Sequence, residues 1–276
     1  MKIISAAKPE TVEGLQYHIS CKPGDVAPYV LLPGDPERVI RIAKKWDYFE
    51  VKAKHREYVT CTGNFKGAPI SATSTGIGSA STAIAIEELL RIGANTFIRV
   101  GTTGAIQPYI NVGDLIISIG AVRLEGASKQ YVQIEYPAVA SYEVILALIE
   151  AAENLNVKYH VGITASTDSF YIGQGRPGFK NYFPSWAKNI IPNLQKANVL
   201  NFEMEAATIF TLAQIYGVRA GAVCAVLANR ITDEFKVDAG VTDAINVANE
   251  AVKILYEWDQ LKMKKNKKYF YPSLLK

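Results

Sequence analysis

The stretch APISATSTGIGSASTAIAIEELLRIGANTFIRV, residues 68–100, decides the fold class. Residues 68–74 are β-like, and Gly76-Ile77-Gly78 makes a turn. From Ser79 to Ile92 small and aliphatic residues dominate, with Ser and Thr at the start and Gly93 past the end. That punctuation predicts a helix over 79–92. Residues 95–100 return to strand character. Strand, glycine turn, helix and strand make a βαβ unit, which implies a parallel pair with a right-handed crossover.

Upstream, YVLLP (29–33) reads as a short buried strand ending in the turn Gly34-Asp35-Pro36. Residues 36–46 look helical: Pro36 suits a first turn, and Val39, Ile42 and Ala43 fall on one face. Residues 56–63 are β-like and join 68–74 through the turn-prone Lys66-Gly67. Downstream, 114–123 and 158–166 read as strands, and 141–155 as an amphipathic helix. Residues 173–200 hold Gly, Pro and aromatics without a clean period, and predict a long loop with one short helix around Pro184–Ile190. Loops longer than about 12–15 residues are often functional. Then come a helix over 203–216, a buried strand over 219–228 and a terminal helix over 241–264. No repeat and no Pro/Ser-rich linker divides residues 1–276. The expectation is one α/β domain, a mixed central β-sheet flanked by helices, with a basic tail over about 260–276.

Composition agrees. At 276 residues, 49% hydrophobic and 20% charged, the chain is no disordered segment, collagen or coiled coil. No run reaches about 18 apolar residues, so no membrane span is expected. The N-terminal MKIISAAKPETVEG is a poor signal peptide, which points to a cytoplasmic protein. Cys21, Cys61, Cys224, His18, His55 and His160 are scattered, without disulfide or zinc spacing. The net charge of +4 sits in the tail, where residues 260–276 carry six Lys and no acid. A solvated helix end explains it better than a nucleic-acid face. Tyr269, Phe270 and Tyr271 are placed to dock the terminus onto the body or a neighbour.

Generic motifs say little. Gly76 to Ser81 nearly matches the dinucleotide GxGxxG, but Ser81 replaces the third glycine and Arg99 stands where a ribose-binding acid belongs. A tight turn is the better reading. More telling, Gly34-Asp35-Pro36-Glu37-Arg38 and Arg99-Val100-Gly101-Thr102-Thr103-Gly104 each follow a buried strand. In open α/β sheets ligands sit beyond the carboxyl ends of strands. Free N–H groups, hydroxyls and two guanidinium forks suit a phosphate dianion, although such arginines also serve as surface ion-pair partners.

LPGDPERV, HREY, STGIGSASTAIAIEELLRIGANTFIRVGTTGAI, VGDLIIS, SFYIGQGR, FEMEAATIF and ANR occur in this order from residue 32 to residue 230. The series resembles the hexameric-type nucleoside phosphorylase family, and within it the members that act on uridine. The resemblance runs from about His18 to Ala251. It implies a glycosyltransferase of pyrimidine salvage, cleaving the N-glycosidic bond with inorganic phosphate as co-substrate through an oxocarbenium-like transition state. No cofactor is required. Small-molecule partners and a homohexamer, a trimer of dimers, are implied as well.

The same resemblance assigns residues. Phosphate falls to Gly34, Arg38, Arg99 and Thr102, with Arg56 of HREY reaching in from a neighbouring subunit. Ribose falls to Met204 and Glu205, with Glu203 nearby and a neighbour's His18 at the 5′-hydroxyl. Thr102, Thr103, Gly104 and Phe202 complete the nucleoside site. Gln174 and Arg176 face the base, with Phe170 and Leu227 as walls and Arg230 beside them. A glutamine amide offers both the acceptor and the donor that a uracil edge requires. Catalytic roles fall to Arg38, Arg99, Glu205, Arg176 and Arg230. Purine-specific relatives carry an aspartate where this chain has Asn229, and Asp233 lies in the following loop. Glu57, Ile77 and Ser81 match positions that hold a monovalent cation, potassium, between subunits. The competing readings are a purine nucleoside phosphorylase, a phosphate-independent nucleosidase, and a non-catalytic nucleoside-binding protein. Arg38, Arg56 and Arg99 argue against the hydrolase, which has no need of an anion site.

Overall fold

The central strands are apolar on both faces, so they demand helices on both sides. Leu31, Ile98, Val100, Val223 and Ala225 bury into one core, while Val30, Leu32, Phe97, Ala220 and Ala222 bury into another. The computed structural model describes residues 5–275. Residues 1–4 of the N-terminal stretch and Lys276 of the tail lie outside the described residues.

The first half holds β1 (Tyr29–Leu32), α1 (Pro36–Ala43), β2 (Tyr48–His55), β3 (Tyr58–Phe65), β4 (Ala68–Thr73), α2 (Ser79–Arg91) and β5 (Thr96–Ala105). Next come β6 (Leu115–Leu124), β7 (Ala138–Val139), α3 (Tyr142–Asn154) and β8 (Tyr159–Thr167). The chain ends with α4 (Ile190–Lys196), β9 (Val199–Glu203), α5 (Ala206–Tyr216), β10 (Arg219–Asn229), β11 (Glu234–Phe235) and α6 (Val241–Lys264). The strands form one mixed sheet ordered β11-β10-β6-β8-β9-β5-β1-β4-β3-β2, with β7 on β6. An added β10–β5 pairing closes β5, β10, β6, β8 and β9 on themselves. The arrangement is the α/β, mixed-sheet class expected. Helices α1, α3 and α6 supply one core, α2 and α5 the other.

The crossover through α2 is parallel, but β4 and β5 are not direct partners: each pairs with β1, which lies between them. Strand β5 also runs on to Ala105, past the expected stop at Val100. It pairs along its length with β10, and on its other side first with β1 and then with β9. Gly101 therefore lies inside a strand, where close approach demands it. A Cβ there would meet the Arg99 guanidinium and Cys224 Sγ, each at 2.8 Å.

Other boundaries moved for physical reasons. Helix α1 stops at Ala43, and Trp46 turns inward to donate from Nε1 to Asn249 Oδ1 at 2.9 Å. The unforeseen β2 is an edge strand, largely exposed and carrying Glu50, Lys52 and Lys54. Charged edges of this kind resist chain-to-chain pairing, and Phe49, Val51 and Ala53 alternate with Glu50, Lys52 and Lys54 as a strand should. In the long loop a short 3-10 helix forms over Ser185–Asn189, where one was expected, and runs on into α4 at Ile190–Lys196, with Pro192 tolerated in its first turn; strand β9 follows. Glu203 consequently ends β9, and α5 starts only at Ala206.

The tail is not simply solvated. Lys262 pairs with Glu143 at 2.8 Å and Asp259 at 2.9 Å. Phe270 stacks on Trp258 at 3.8 Å, and its N–H donates to Glu143 Oε1. Phe270 alone of the three tail aromatics is buried; Tyr269 and Tyr271 are exposed. No helix among the described residues is long and apolar enough to cross a membrane.

Candidate active site

A cleft of about 910 Å³ opens beyond the carboxyl ends of β1, β5, β9 and β10. Gly34, Arg38, Arg99, Thr102, Thr103, Gly104, Phe170, Gln174, Arg176, Phe202, Glu203, Met204, Glu205, Leu227 and Arg230 all line it. These were separate motifs in the sequence, and the sheet topology gathers them.

At one end, Asp35 caps α1 by accepting from Glu37 N at 2.9 Å, which orients the turn carrying Gly34 and Arg38. Arg38 donates from Nη1 to Val100 O at 3.2 Å, while its buried Nε has no partner. Burial holds Arg38 below the usual arginine value, and the nearby Arg99 charge lowers it further. Across from it, Arg99 is only 5% exposed. Its Nη2 lies 2.5 Å from Glu205 Oε2 and its Nε 2.8 Å from Glu203 Oε2. Burial alone depresses Arg99, but Glu205 and Glu203 outweigh it and hold the guanidinium above its ordinary value. Two carboxylates thus hold the central arginine within one chain.

Glu205 also accepts from Gly78 N at 2.6 Å, tying this acid to the glycine turn before α2. Gly76 and Gly78 have φ of +70° and +97°, so the near-dinucleotide motif is a turn that glycine makes feasible. Burial raises Glu205 above the ordinary carboxylate value, against the opposing pull of Arg99. Below the cleft floor, Thr103 donates to Phe202 O at 2.6 Å and accepts from Asn201 Nδ2 at 2.7 Å. Its hydroxyl is therefore engaged within the protein.

At the other end, Gln174 is buried, and its Nε2 donates to Thr167 Oγ1 at 3.2 Å. Arg176 Nη1 donates to Gln174 Oε1 at 2.6 Å and to Phe170 O at 2.9 Å. The guanidinium also lies 4.1 Å from the centroid of the half-exposed Phe170 ring, a cation–π contact. Arg230 braces this turn by donating to Gln174 O at 2.8 Å. Burial, followed by the charge of Arg230, lowers Arg176 to about 10. Asn229 is committed elsewhere: its amide donates to Gln107 O and Ile110 O, and its oxygen accepts from Ile231 N and Thr232 N. Asp233, Glu234 and Phe235 of the hairpin after β10 also reach the cleft. The sequence marked Asp233 only as a nearby acid, and nothing in the pattern of 231–235 announced Phe235.

His18 and Arg56 lie outside this cleft. His18 Nδ1 contacts Glu88 Oε1 at 2.6 Å beside a second hollow of about 570 Å³. Arg56, exposed at the β2–β3 turn, donates to Tyr17 Oη at 3.4 Å, and Tyr17 packs edge-on against His18 at 4.9 Å. The two residues form one exposed cluster. Glu57 lines the cleft rim instead, and Ser81 Oγ sits 3.4 Å from Ile77 O. Among the described residues no group of three His, Cys, Asp or Glu side chains is placed to hold a metal ion. The three cysteines are buried and unpaired.

Comparison with known proteins agrees with this geometry. The phosphorylase superfamily profile matches residues 28–257. A uridine phosphorylase of Thermococcus kodakarensis is 66% identical over 273 residues, 99% of this chain and 98% of the relative. A uridine phosphorylase of Escherichia coli is 43% identical, covering 79% of this chain and 87% of its own length. A guanosine phosphorylase of Halorubrum lacusprofundi is 42% identical over 80% of this chain and 86% of its own. With its cleft assembled at the strand ends and its whole length matched, this chain belongs to the phosphorylase superfamily.

Proposed function

We propose that the protein catalyses phosphorolysis of uridine, giving uracil and ribose 1-phosphate. One observation carries the reading: the cleft joins an arginine end, Arg38 and Arg99, to an amide–guanidinium end, Gln174 and Arg176, with Glu205 between. A phosphate oxygen attacks C1′ as the C1′–N1 bond breaks, and the bond's electron pair departs with the base. The work of the protein is positioning and electrostatic stabilisation. Gly34 N–H, Arg38, Arg99 and Thr102 hold the dianion, and Arg56 of a neighbouring subunit joins them. Glu205 accepts from ribose hydroxyls and Met204 gives the sugar an apolar face. A neighbour's His18 meets the 5′-hydroxyl. Gln174 pairs with the uracil edge, and Arg176, supported by Arg230, stabilises the anion that forms as the bond breaks. Phe170 and Leu227 wall the base.

The shared residues call for a homo-oligomer, and we take it as a hexamer built as a trimer of dimers in the cytoplasm. Phosphate is the co-substrate, and no cofactor is needed. Glu57, Ile77 and Ser81 offer a carboxylate, a carbonyl and a hydroxyl, donors suited to a potassium ion. The purine reading is disfavoured by Asn229, whose amide and oxygen are both spent on backbone partners. The test is uracil release from uridine by purified protein, with and without phosphate, beside inosine. Phosphate-dependent uridine cleavage with poor inosine turnover supports the reading. Phosphate-independent cleavage assigns a nucleosidase, and comparable inosine turnover a purine enzyme.

A further inference from the structure

We propose that Ser166 is a positioning residue for phosphate binding, acting through Glu203 to fix the guanidinium of Arg99. The inference rests on the phosphate reading of the Arg38–Arg99 end of the cleft. It begins from the surroundings of Glu203, whose side chain is fully buried. One carboxylate oxygen, Oε1, accepts a short hydrogen bond from Ser166 Oγ. The other, Oε2, accepts from Glu205 N and Ala206 N, each at 2.9 Å, and faces Arg99 Nε at 2.8 Å. An ionised carboxylate has about four lone-pair sites. Three donors occupy three of them, and the Arg99 guanidinium lies beside Oε2 as an ion pair. The geometry thus gives Glu203 a role in holding Arg99.

Ser166 is the part of this lock that cannot touch substrate. It is fully buried and sits on β8, directly opposite Glu203 on β9 in the parallel register. Its hydroxyl has one proton, which goes to Glu203, and its oxygen accepts from Ala207 N at 2.9 Å. The first turn of α5 and the Glu203 carboxylate thus share one hydroxyl. Without it, Glu203 Oε1 loses its only donor, the carboxylate gains rotational freedom, and Arg99 loses a fixed partner on its Nε side. Arg99 Nη2 keeps its pairing to Glu205. The consequence falls on the direction of the guanidinium fork, which matters for an anion that needs two aligned N–H groups.

The experiment compares wild type, Ser166→Ala and Ser166→Cys in the assembled enzyme. The readouts are KM for phosphate, KM for uridine, and the rise in melting temperature on adding inorganic phosphate alone. The alanine variant is expected to raise phosphate KM on the order of tenfold, the scale of one charge-assisted hydrogen bond. Uridine KM should stay within about twofold, because Glu205 and the base-binding end are untouched. Cysteine, a weak donor of similar size, should give a smaller phosphate-specific rise. Equal rises in both KM values, or unchanged phosphate affinity in either folded variant, overturn the proposal. Failure of both variants to fold assigns the hydroxyl to the fold and overturns it as well. A wild-type enzyme indifferent to phosphate instead overturns the phosphate reading itself.

Discussion

Arg99→Ala tests the electrostatic core of the site. The substitution removes the cation lying 2.5 Å from Glu205 and 2.8 Å from Glu203, both buried. Breaking a buried pair from one side costs about 3–5 kcal/mol, because it leaves charge uncompensated. For a chain of this size each kcal/mol moves the melting temperature by about 2–4 °C, so a drop of roughly 6–20 °C is expected. The loss depends on pH with a definite sign. Glu205 already sits above the ordinary carboxylate value through burial, and Arg99 is the group opposing that rise. Without Arg99 it climbs further. A carboxyl raised in the folded state contributes its stability below the unfolded value and loses it as pH rises through the folded value. The gap between wild type and variant is therefore smallest near about pH 4 and widens toward neutrality. Melting curves from pH 4 to 8, with phosphate absent, measure it. In parallel, losing a charged hydrogen-bond donor worth about 1.5–3 kcal/mol weakens phosphate affinity by roughly 10- to 150-fold. A variant with a wild-type melting profile across that range, and with unchanged phosphate affinity, would refute the reasoning.

Further outcomes follow from other parts of the molecule. Gln174→Ala should lower uridine kcat/KM by about 10- to 100-fold, since it removes the amide and the acceptor that holds Arg176, with phosphate KM nearly unchanged. A steady-state matrix of both substrates checks the split, and a matching rise in phosphate KM counts against it. Gly101→Ala places a Cβ 2.8 Å from the Arg99 guanidinium and should raise phosphate KM with uridine KM little changed. Phe270→Ala should cost about 3 kcal/mol by deleting the stack on Trp258, with turnover per folded enzyme unchanged. Urea denaturation measures that loss, and wild-type stability would show that the tail docks only weakly. Phosphate at about one hundred times its dissociation constant should stabilise the enzyme by roughly 2.7 kcal/mol, read as a melting-temperature rise absent with chloride.

The sequence was most legible where local chemistry and burial agree. Helix α2 carries its own punctuation, and α6 matches the predicted range. Strand β10 is apolar enough to be read as buried without any partner in view. What failed was set by distant chain. The continuation of β5 through Gly101 and Gly104 depends on β10 and β9 lying alongside, because two glycines in a local window spell a turn. Edge strand β2 is the exception: Phe49, Val51 and Ala53 alternate with Glu50, Lys52 and Lys54, a local strand signal. Strand β9 hides in the aromatic segment, and only its pairing with β8 and β5 makes it a strand. Among site residues, those of LPGDPERV, RVGTTGAI, SFYIGQGR, FEMEAATIF and ANR reach the cleft, because these motifs lie at or just past strand ends, whereas Arg56 of HREY and His18 do not. Ser166 escaped notice because a lone serine in a strand has no signature. Its role depends on the register that sets it opposite Glu203.

Charge balance supports the proposal of a site shared with a second chain. Within one protomer, Arg38 and Arg99 stand against Glu203 and Glu205, whose formal charges cancel theirs, and Asp35 and Glu57 line the same cleft. A buried neutral quartet is stable, but it offers a dianion no net attraction; hydrogen-bond geometry alone would have to bind it. Arg38 leaves one buried N–H unpaired, and Arg56, which is exposed, has only a long contact to Tyr17. Arg56 lies outside its own cleft, in the surface cluster with Tyr17 and His18. If that cluster meets a neighbour's cleft, it brings an uncompensated guanidinium to the phosphate end and an imidazole to the sugar end together. Arg56→Ala should then lower phosphate affinity without altering the melting temperature of the isolated fold, since Arg56 makes no buried contact. Mixed oligomers sharpen the test. An Arg56→Ala chain and an Arg99→Ala chain, each nearly inactive, should recover part of the wild-type activity when co-assembled. Some interfaces then pair an intact cleft with an intact cluster. Absence of recovery in verified mixed oligomers would place Arg56 in its own chain's chemistry and dissolve the argument for a shared site.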